Sequence, residues 1–489
     1  MKHLADFSRN LTGLSRRECL HRFGAGLGSF ALADLLEAEE TAGAVAPKRF
    51  GGLPDLPHFA PKAKRVIYLF MSGGASQFET FDYKPQLREL QNEGAELPES
   101  YRKRGLLGMS NNQAAFKLVG SKFDFQQHGK SGAWVSDLLP RTASIVDDLC
   151  IVRSMRSEAV NHDPAMIYMV SGSPLPGRPS MGSWLAYGLG SESENLPAFV
   201  VLVSKRPVDQ PLSSRLWHQG FLPSRFQGTQ FRSGNDPLLY LSRPPGVSRD
   251  LDRRTLDLLR TVHQRDLESR GESELESRIA QYEMAFRMQS SVPEIADISG
   301  EPESVKTLYG TDLEKPGSFA RNCLLARRMA EQGVRYIHLY HPGWDHHGAL
   351  PDNMETATRE IDQGCAALIQ DLKNRDLLDE TLVVWGTEFG RTCYSQGTIS
   401  SKTGSYGREH HRDAFTFWMA GGGIRPGTVY GETCELGFDI ASDPVSVNDF
   451  HATLLHLLGI DHQRFTYRFK GRDFRLTDVA GEVVQGILV

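Results

Sequence analysis

The run Val334-Arg335-Tyr336-Ile337-His338-Leu339-Tyr340 leads directly into His341-Pro342-Gly343-Trp344-Asp345-His346-His347-Gly348. Its first half is nearly continuous apolar sequence, the pattern of a strand covered on both faces. Its second half concentrates imidazole and carboxylate where that strand should end. Similar runs occur at Arg65–Phe70 (RVIYLF), Asp148–Val152, Ala198–Val203 (AFVVLV), Thr381–Trp385 (TLVVW) and Ala414–Met419. Between several of them, apolar residues recur every three or four positions, as in Arg321–Gly333 and Met354–Leu378, which predicts helices. Alternating strands and helices predict an α/β fold: a mostly parallel central sheet with helices on both faces and right-handed crossovers.

In such sheets ligands bind beyond the carboxyl ends of the strands, so the residues after each run are the place to look for chemistry. After RVIYLF comes Met71-Ser72-Gly73-Gly74-Ala75-Ser76-Gln77-Phe78-Glu79-Thr80-Phe81-Asp82, with glycines that admit a close ligand and two carboxylates. After TLVVW comes Gly386-Thr387-Glu388-Phe389-Gly390-Arg391, and Gly407-Arg408-Glu409-His410-His411-Arg412-Asp413 stands before the run at Ala414. Six of the sixteen histidines, His338, His341, His346, His347, His410 and His411, fall in two of these patches. Imidazole and carboxylate at a strand end make a divalent metal site of zinc, manganese or iron type. Asp345 with His347 is the leading pair. His346 and His411 are the alternatives within each adjacent pair, and His338, inside the strand, reads as structural. Arg391 can pair with a substrate anion through its planar fork or cap Glu388. Ser72, Ser76 and Thr80 are hydroxyl candidates that turn chemistry explains equally well. Trp134, Trp184, Trp217 and Trp344 can stack on sugar rings, but core is the better reading.

Composition narrows the class. The 489 residues are 40% hydrophobic and 24% charged, which is globular usage. A net charge of -5 supplies no basic field for nucleic acid, so no nucleic-acid partner is expected. Six scattered cysteines without a CxxC pair argue against a zinc ribbon or a thioredoxin-like site. At the amino end, Ser15-Arg16-Arg17-Glu18-Cys19-Leu20 precedes an apolar stretch at Phe23–Ala33 and small residues at Ala42–Ala44. That order resembles a twin-arginine export signal over residues 1–44, which places the mature protein in the periplasm or outside the cell. A linker over 45–61 and one domain over 62–489 come next, with an inserted loop and helical segment at about 204–300. No later stretch reaches the roughly 18 apolar residues that a membrane span requires.

Near the carboxyl end, Val447-Asn448-Asp449-Phe450-His451-Ala452-Thr453-Leu454-Leu455-His456-Leu457-Leu458-Gly459-Ile460 resembles the closing helix of sulfatases. Ala420–Gly427 is similar to the loop that precedes it there, VVWGTEFGR at Val383–Arg391 resembles the strand and metal motif, and His162-Asp163-Pro164 with Ile167–Gly172 resembles the nucleophile helix. The order of these motifs, covering most of the chain after about residue 62, resembles an uncharacterised exported domain-of-unknown-function family related to sulfatases and alkaline phosphatases. The resemblance implies that fold and a metal centre built from Asp345, His347, Glu388 and His410. It also implies that Glu79 or Asp82 supplies the ligand that an aspartate at the end of the first strand usually provides, and that His162 stands near the nucleophile position. The chain departs from the pattern in ways that bear on mechanism. His162 occupies the place of the formylglycine cysteine and Met166 that of its arginine, which argues against formylglycine chemistry, and Phe389 replaces an expected histidine ligand.

Two functional readings result. One is an exported hydrolase of sulfate or phosphate esters, on a small anion or a polysaccharide. It would depend on a divalent ion (zinc, manganese, iron or calcium), with His162 as a catalytic group and Arg391 or Arg408 stabilising the anionic transition state. The other is a non-catalytic binding or assembly module on the same scaffold.

Overall fold

The computed structural model describes residues 50–489 except 104–109, 111–112, 207–211, 233–236, 239–240, 242, 244–245, 271–272 and 397–404. The expected export signal lies outside these residues.

A nine-stranded sheet forms the centre. Its strands are β1 (Arg65–Ser72), β2 (Cys150–Arg156), β3 (Phe199–Val203), β4 (Thr229–Phe231), β5 (Tyr336–Pro342), β6 (Thr381–Gly386), β7 (Phe415–Ala420), β8 (Thr428–Tyr430) and β9 (Val445–Ser446). The spatial order is β8-β2-β7-β6-β1-β5-β3-β4, with β9 also on β2. β1 pairs in parallel with β5 and β6, and β3 continues in parallel from β5. Only β7 runs against its neighbours β2 and β6.

Strand period two sends alternate residues of β1 to opposite faces. Ile67, Leu69 and Met71 enter one apolar core, and Val66, Tyr68 and Phe70 enter the other. The principal helices are α1 (His162–Ser171), α2 (Met181–Leu189), α3 (Arg249–Arg270), α4 (Ser273–Ala296), α5 (Phe319–Glu331), α6 (Leu350–Asn374) and α7 (Val447–Leu457). The first core receives Met288, Val292 and Ile295 of α4, Cys323 and Leu324 of α5, and Ile361 and Leu368 of α6. The second receives Met166 and Met169 of α1, Trp184 of α2, and Phe450 and Leu454 of α7. Helices therefore lie on both faces, as the α/β reading requires. Two of the helix starts are explained locally: Ser318 accepts a hydrogen bond from the Arg321 amide, and Ser446 with Asp449 forms a capping box on α7.

Two regions differ from expectation. The Pro/Gly-rich stretch expected as a linker is pinned where it is described: Leu56 is buried and the His58 amide donates to Gly459 at 2.8 Å. The excursion after residue 204 returns to add β4 to the sheet, pairing Val200 with Thr229. The charged stretch from Asp250 forms the two helices α3 and α4, and the end of α4 dips into the core.

Behind the first core, Arg327 on α5 is 2% exposed and binds Glu301 (2.7 Å), Glu331 (2.6 Å) and Asp371 (2.8 Å). Replacing it with Met leaves Glu301 and Asp371 buried without that cation, at an expected cost of about 3–5 kcal/mol by denaturant unfolding. Burial opposes the charged form of Glu301, but its bonds to Arg327 and Arg328 prevail and hold it below the usual glutamate range. Its contribution to stability is therefore present above that range and is lost on acidification. The wild type should lose more stability than Arg327→Met as the pH falls through the carboxylate range.

Candidate metal centre

β1, β5 and β6 lie side by side and end together, and the site is built on the segments immediately after them. After β1, Gly73 has φ +121°, and a Cβ there would lie 2.6 Å from the Asp345 amide. Only glycine lets the β1 turn and the β5 loop approach so closely. After β5, the Trp344 amide donates to Ser72 O at 3.2 Å, and its buried indole donates to His341 Nδ1 at 3.0 Å. His341 Nε2 lies 3.0 Å from Glu360 on α6. This anchoring presents Asp345 and His347. A two-stranded ribbon, Gly390–Ser395 with Arg408–His411, then sets His410 opposite Arg391. The amino end of α1 delivers His162.

Four of these residues converge: ligand atoms of His162, Asp345, His347 and His410 lie within 4.8 Å of one another. Three Nε2 atoms face one carboxylate, His162 at 3.1 Å, His347 at 2.9 Å and His410 at 3.2 Å from Asp345. The opposite ring nitrogens are all engaged. His410 Nδ1 donates to the Val160 carbonyl at 2.9 Å, His162 Nδ1 to Glu388 at 2.8 Å, and His347 Nδ1 to the Gln396 side-chain oxygen. In a neutral imidazole the proton is thereby placed on Nδ1, and a lone pair on Nε2 points at another acceptor. Lone pairs facing a carboxylate repel unless a proton or a cation lies between them. His162 Nε2 is buried and faces Asp345 Oδ2 at 3.1 Å. Glu409 stands 3.6 Å behind His347, so Asp345, Glu388 and Glu409 against Arg391 and a protonated His162 leave one formal negative charge, and two once His162 gives up its proton. The donor set, the outward-anchored Nδ1 atoms and this charge all fit a divalent cation.

The same groups perturb one another strongly. Burial opposes the charged form of Asp345, but hydrogen bonds from His162, His347 and His410 and the Arg391 charge hold it far below the carboxylate range. Burial also works against a charged His162, yet Asp345 and Glu388 outweigh it and raise its pKa to about 9. For His410 burial prevails over Asp345 and the pKa is lowered.

Several expected roles are corrected. Glu79 is not with the cluster: it is fully buried, accepts from Arg408 at 2.7 Å and Tyr406 at 3.0 Å, and meets Ser76 Oγ, which occupies its acceptor sites. Arg408 is correspondingly committed to Glu79 and to Thr392 O, and being 0% exposed it does not reach a substrate. Arg391 is also 0% exposed, donating to Gly73 O, Gly74 O, Arg408 O, Trp344 O and, at 2.7 Å, Asp345. It neither meets an anion nor caps Glu388; it clamps the Asp345 loop onto the β1 turn. Glu388 lies outside the group of four, accepting from the Gly73 amide at 2.8 Å while it fixes His162. Asp82 is occupied by Thr433 and Lys84. His346 binds Gly343 O, and His411 Nε2 binds Phe438 O, so His347 and His410 are the members of each pair that face the centre. Thr80 bonds to Ser76 O, and Ser72 Oγ is buried without a partner. Trp184, Trp217 and Trp344 are core residues, as expected, and His338 is buried in the strand. Sequence reading missed Gln396 and Glu409, which orient His347.

Gly73→Ala should push the Asp345 loop outward and weaken zinc binding by at least about tenfold while the protein stays folded, as read by titration calorimetry and thermal melting. A second outcome concerns His162. It holds a proton below its pKa of about 9, and metal must displace that proton. Zinc affinity should therefore rise with pH up to about 9 and level off above it, with proton release seen as a buffer-dependent binding enthalpy.

Among solved structures, the chain is similar to the C-terminal periplasmic domain of EcEptC from Escherichia coli in complex with Zn (9% identity, 86% of this chain and 88% of that one, TM-score 0.35). It is also similar to the PsFucS1 sulfatase from Pseudoalteromonas sp. (12%, 87% and 73%, TM-score 0.30) and the phosphonate monoester hydrolase SpPMH from Silicibacter pomeroyi (14%, 66% and 68%, TM-score 0.29). No curated protein sequence matches it significantly. A family model described as "Protein of unknown function (DUF1501)" matches residues 63–488, nearly the whole of the described fold, and the chain belongs to that family.

Proposed function

We propose that this chain is an exported, metal-dependent hydrolase of sulfate or phosphate esters, carried on a small anion or a polysaccharide. The observation that carries the reading is the convergence of three imidazole Nε2 atoms on Asp345 at the carboxyl ends of the strands. His162, Asp345, His347 and His410 would hold the ion. Bound there, a divalent ion supplies Lewis acidity to an ester oxygen.

The chain's own residues prepare the rest. Glu388 and the Val160 carbonyl hold His162 and His410 with their Nδ1 protons turned away from the centre. Arg391 fixes Asp345 from the buried side, while buried Phe389, its ring 4.5 Å from that of His410, excludes water behind it. The open side is at Asp345 and His347, whose side chains are 24% and 34% exposed, and an ester would enter there. α1 begins at His162, so the positive end of its dipole lies at the centre and favours an anionic group. The twin arginine at Arg16-Arg17 supports export.

A second reading, the non-catalytic binding module, is favoured by one observation. None of the hydroxyls of Ser72, Ser76 and Thr80 is directed to the four-residue cluster by a hydrogen bond.

Metal content by plasma mass spectrometry, on the wild type and on Asp345→Ala/His347→Ala, tests the centre. Near-stoichiometric metal that the variant loses, together with turnover of an aryl sulfate or aryl phosphate that the variant lacks, is the expected result. Stoichiometric metal without turnover of any ester favours the binding module, and a metal-free wild type after incubation with each ion rejects the hydrolase. Arg16→Lys/Arg17→Lys should retain the protein in the cytoplasm, as read by fractionation.

A further inference from the structure

We propose that a second face of the molecule, remote from the metal centre, docks on an anionic lipid surface. α1 runs from the centre at His162 to Ser171, a rise of about 15 Å, and the chain beyond its far end approaches the carboxyl-terminal segment. A Cβ on Gly172 would lie 1.9 Å from Leu476 O, so these two stretches are in contact.

Two apolar tips stand there. Leu175, in the exposed Leu175-Pro176-Gly177 turn, is 70% exposed, and Val479, beside exposed Ala480, is 82% exposed. Asp478 joins them: its carboxylate binds Arg178 at 3.0 Å and Arg472 at 2.5 Å, and its φ of +50° marks a tight turn immediately before Val479. Both guanidinium groups also lie over the Phe474 ring, at 5.6 Å and 4.7 Å from its centroid. The tips are thus held together in one cationic and aromatic patch.

The charge of this patch opposes that of the protein. Arg464–Val479 contains five Lys and Arg residues against two Asp, within a chain of net charge -5. Next to it a hairpin, Tyr467–Phe469 with Arg472–Phe474, turns through Lys470 and Gly471, both at positive φ, so that Lys470 sits at its exposed tip. Exposed aliphatic tips cost free energy in water that burial at the acyl boundary relieves, while surrounding Lys and Arg meet anionic headgroups. A polyanionic glycan would account for the cations but not for Leu175 and Val479. None of the described helices is long and apolar enough to cross a membrane, so the contact is peripheral.

The test is flotation of the full chain with vesicles of phosphatidylcholine alone and of phosphatidylcholine with phosphatidylglycerol, at low and high salt. Residues 1–44 carry an apolar stretch of their own, so the comparison of variants decides. Leu175→Ser/Val479→Ser and Arg468→Glu/Lys470→Glu change exposed residues outside the metal centre, and thermal melting checks that they fold. If either pair melts early, Val479→Ser and Lys470→Glu alone replace it. Binding that requires phosphatidylglycerol, weakens with salt and falls by about tenfold or more in each variant supports the proposal. Absence of binding to the anionic vesicles overturns it, as does binding that the Leu175 and Val479 changes leave untouched. Retention on a sulfated polysaccharide matrix without vesicle binding assigns the patch to a glycan and likewise overturns it.

Discussion

Three imidazole nitrogens directed at the carboxylate of Asp345 are an arrangement of acceptors that only positive charge can hold together. Arg391 supplies part of that charge from beneath, and its remaining donors tie down the backbone of Gly73, Gly74, Trp344 and Arg408. One guanidinium therefore couples the β1 turn, the β5 loop and the ribbon into a single frame. The glycine at 73 and the buried Trp344 make the same frame from the steric side. A buried cation hydrogen-bonded in this way is costly to remove, because each carbonyl it serves would lose its partner.

The sheet was legible because its strands are covered on both faces and so read as uninterrupted apolar runs. The antiparallel sense of β7 was not, since Ala414–Met419 looks the same whichever way it runs. Arg408–His411, which stands just before that strand in sequence, pairs with Gly390–Ser395, an association between segments that no local pattern encodes.

Within the site, Asp345 and His347 were legible from their place at a strand end. The choice between His410 and His411 was not, because neighbours on a strand face opposite ways and the register fixes which one looks inward. His162 was visible only through the resemblance of its segment to a nucleophile helix. The buried arginines misled for a physical reason: a sequence shows a charge but not its partner. Arg408 and Glu79 satisfy each other, and Arg391 is consumed by backbone carbonyls.

The four residues of the cluster sit on three separate parts of the chain. An unfolded chain therefore presents no preformed site, and any ion bound there would be coupled to completion of the fold. The side chains of Asp345 and His347 are partly exposed, so an ion could reach the folded chain from that side. A cation held at such a site would then answer to the metal pool around the folded protein and not only to the one in which it folded.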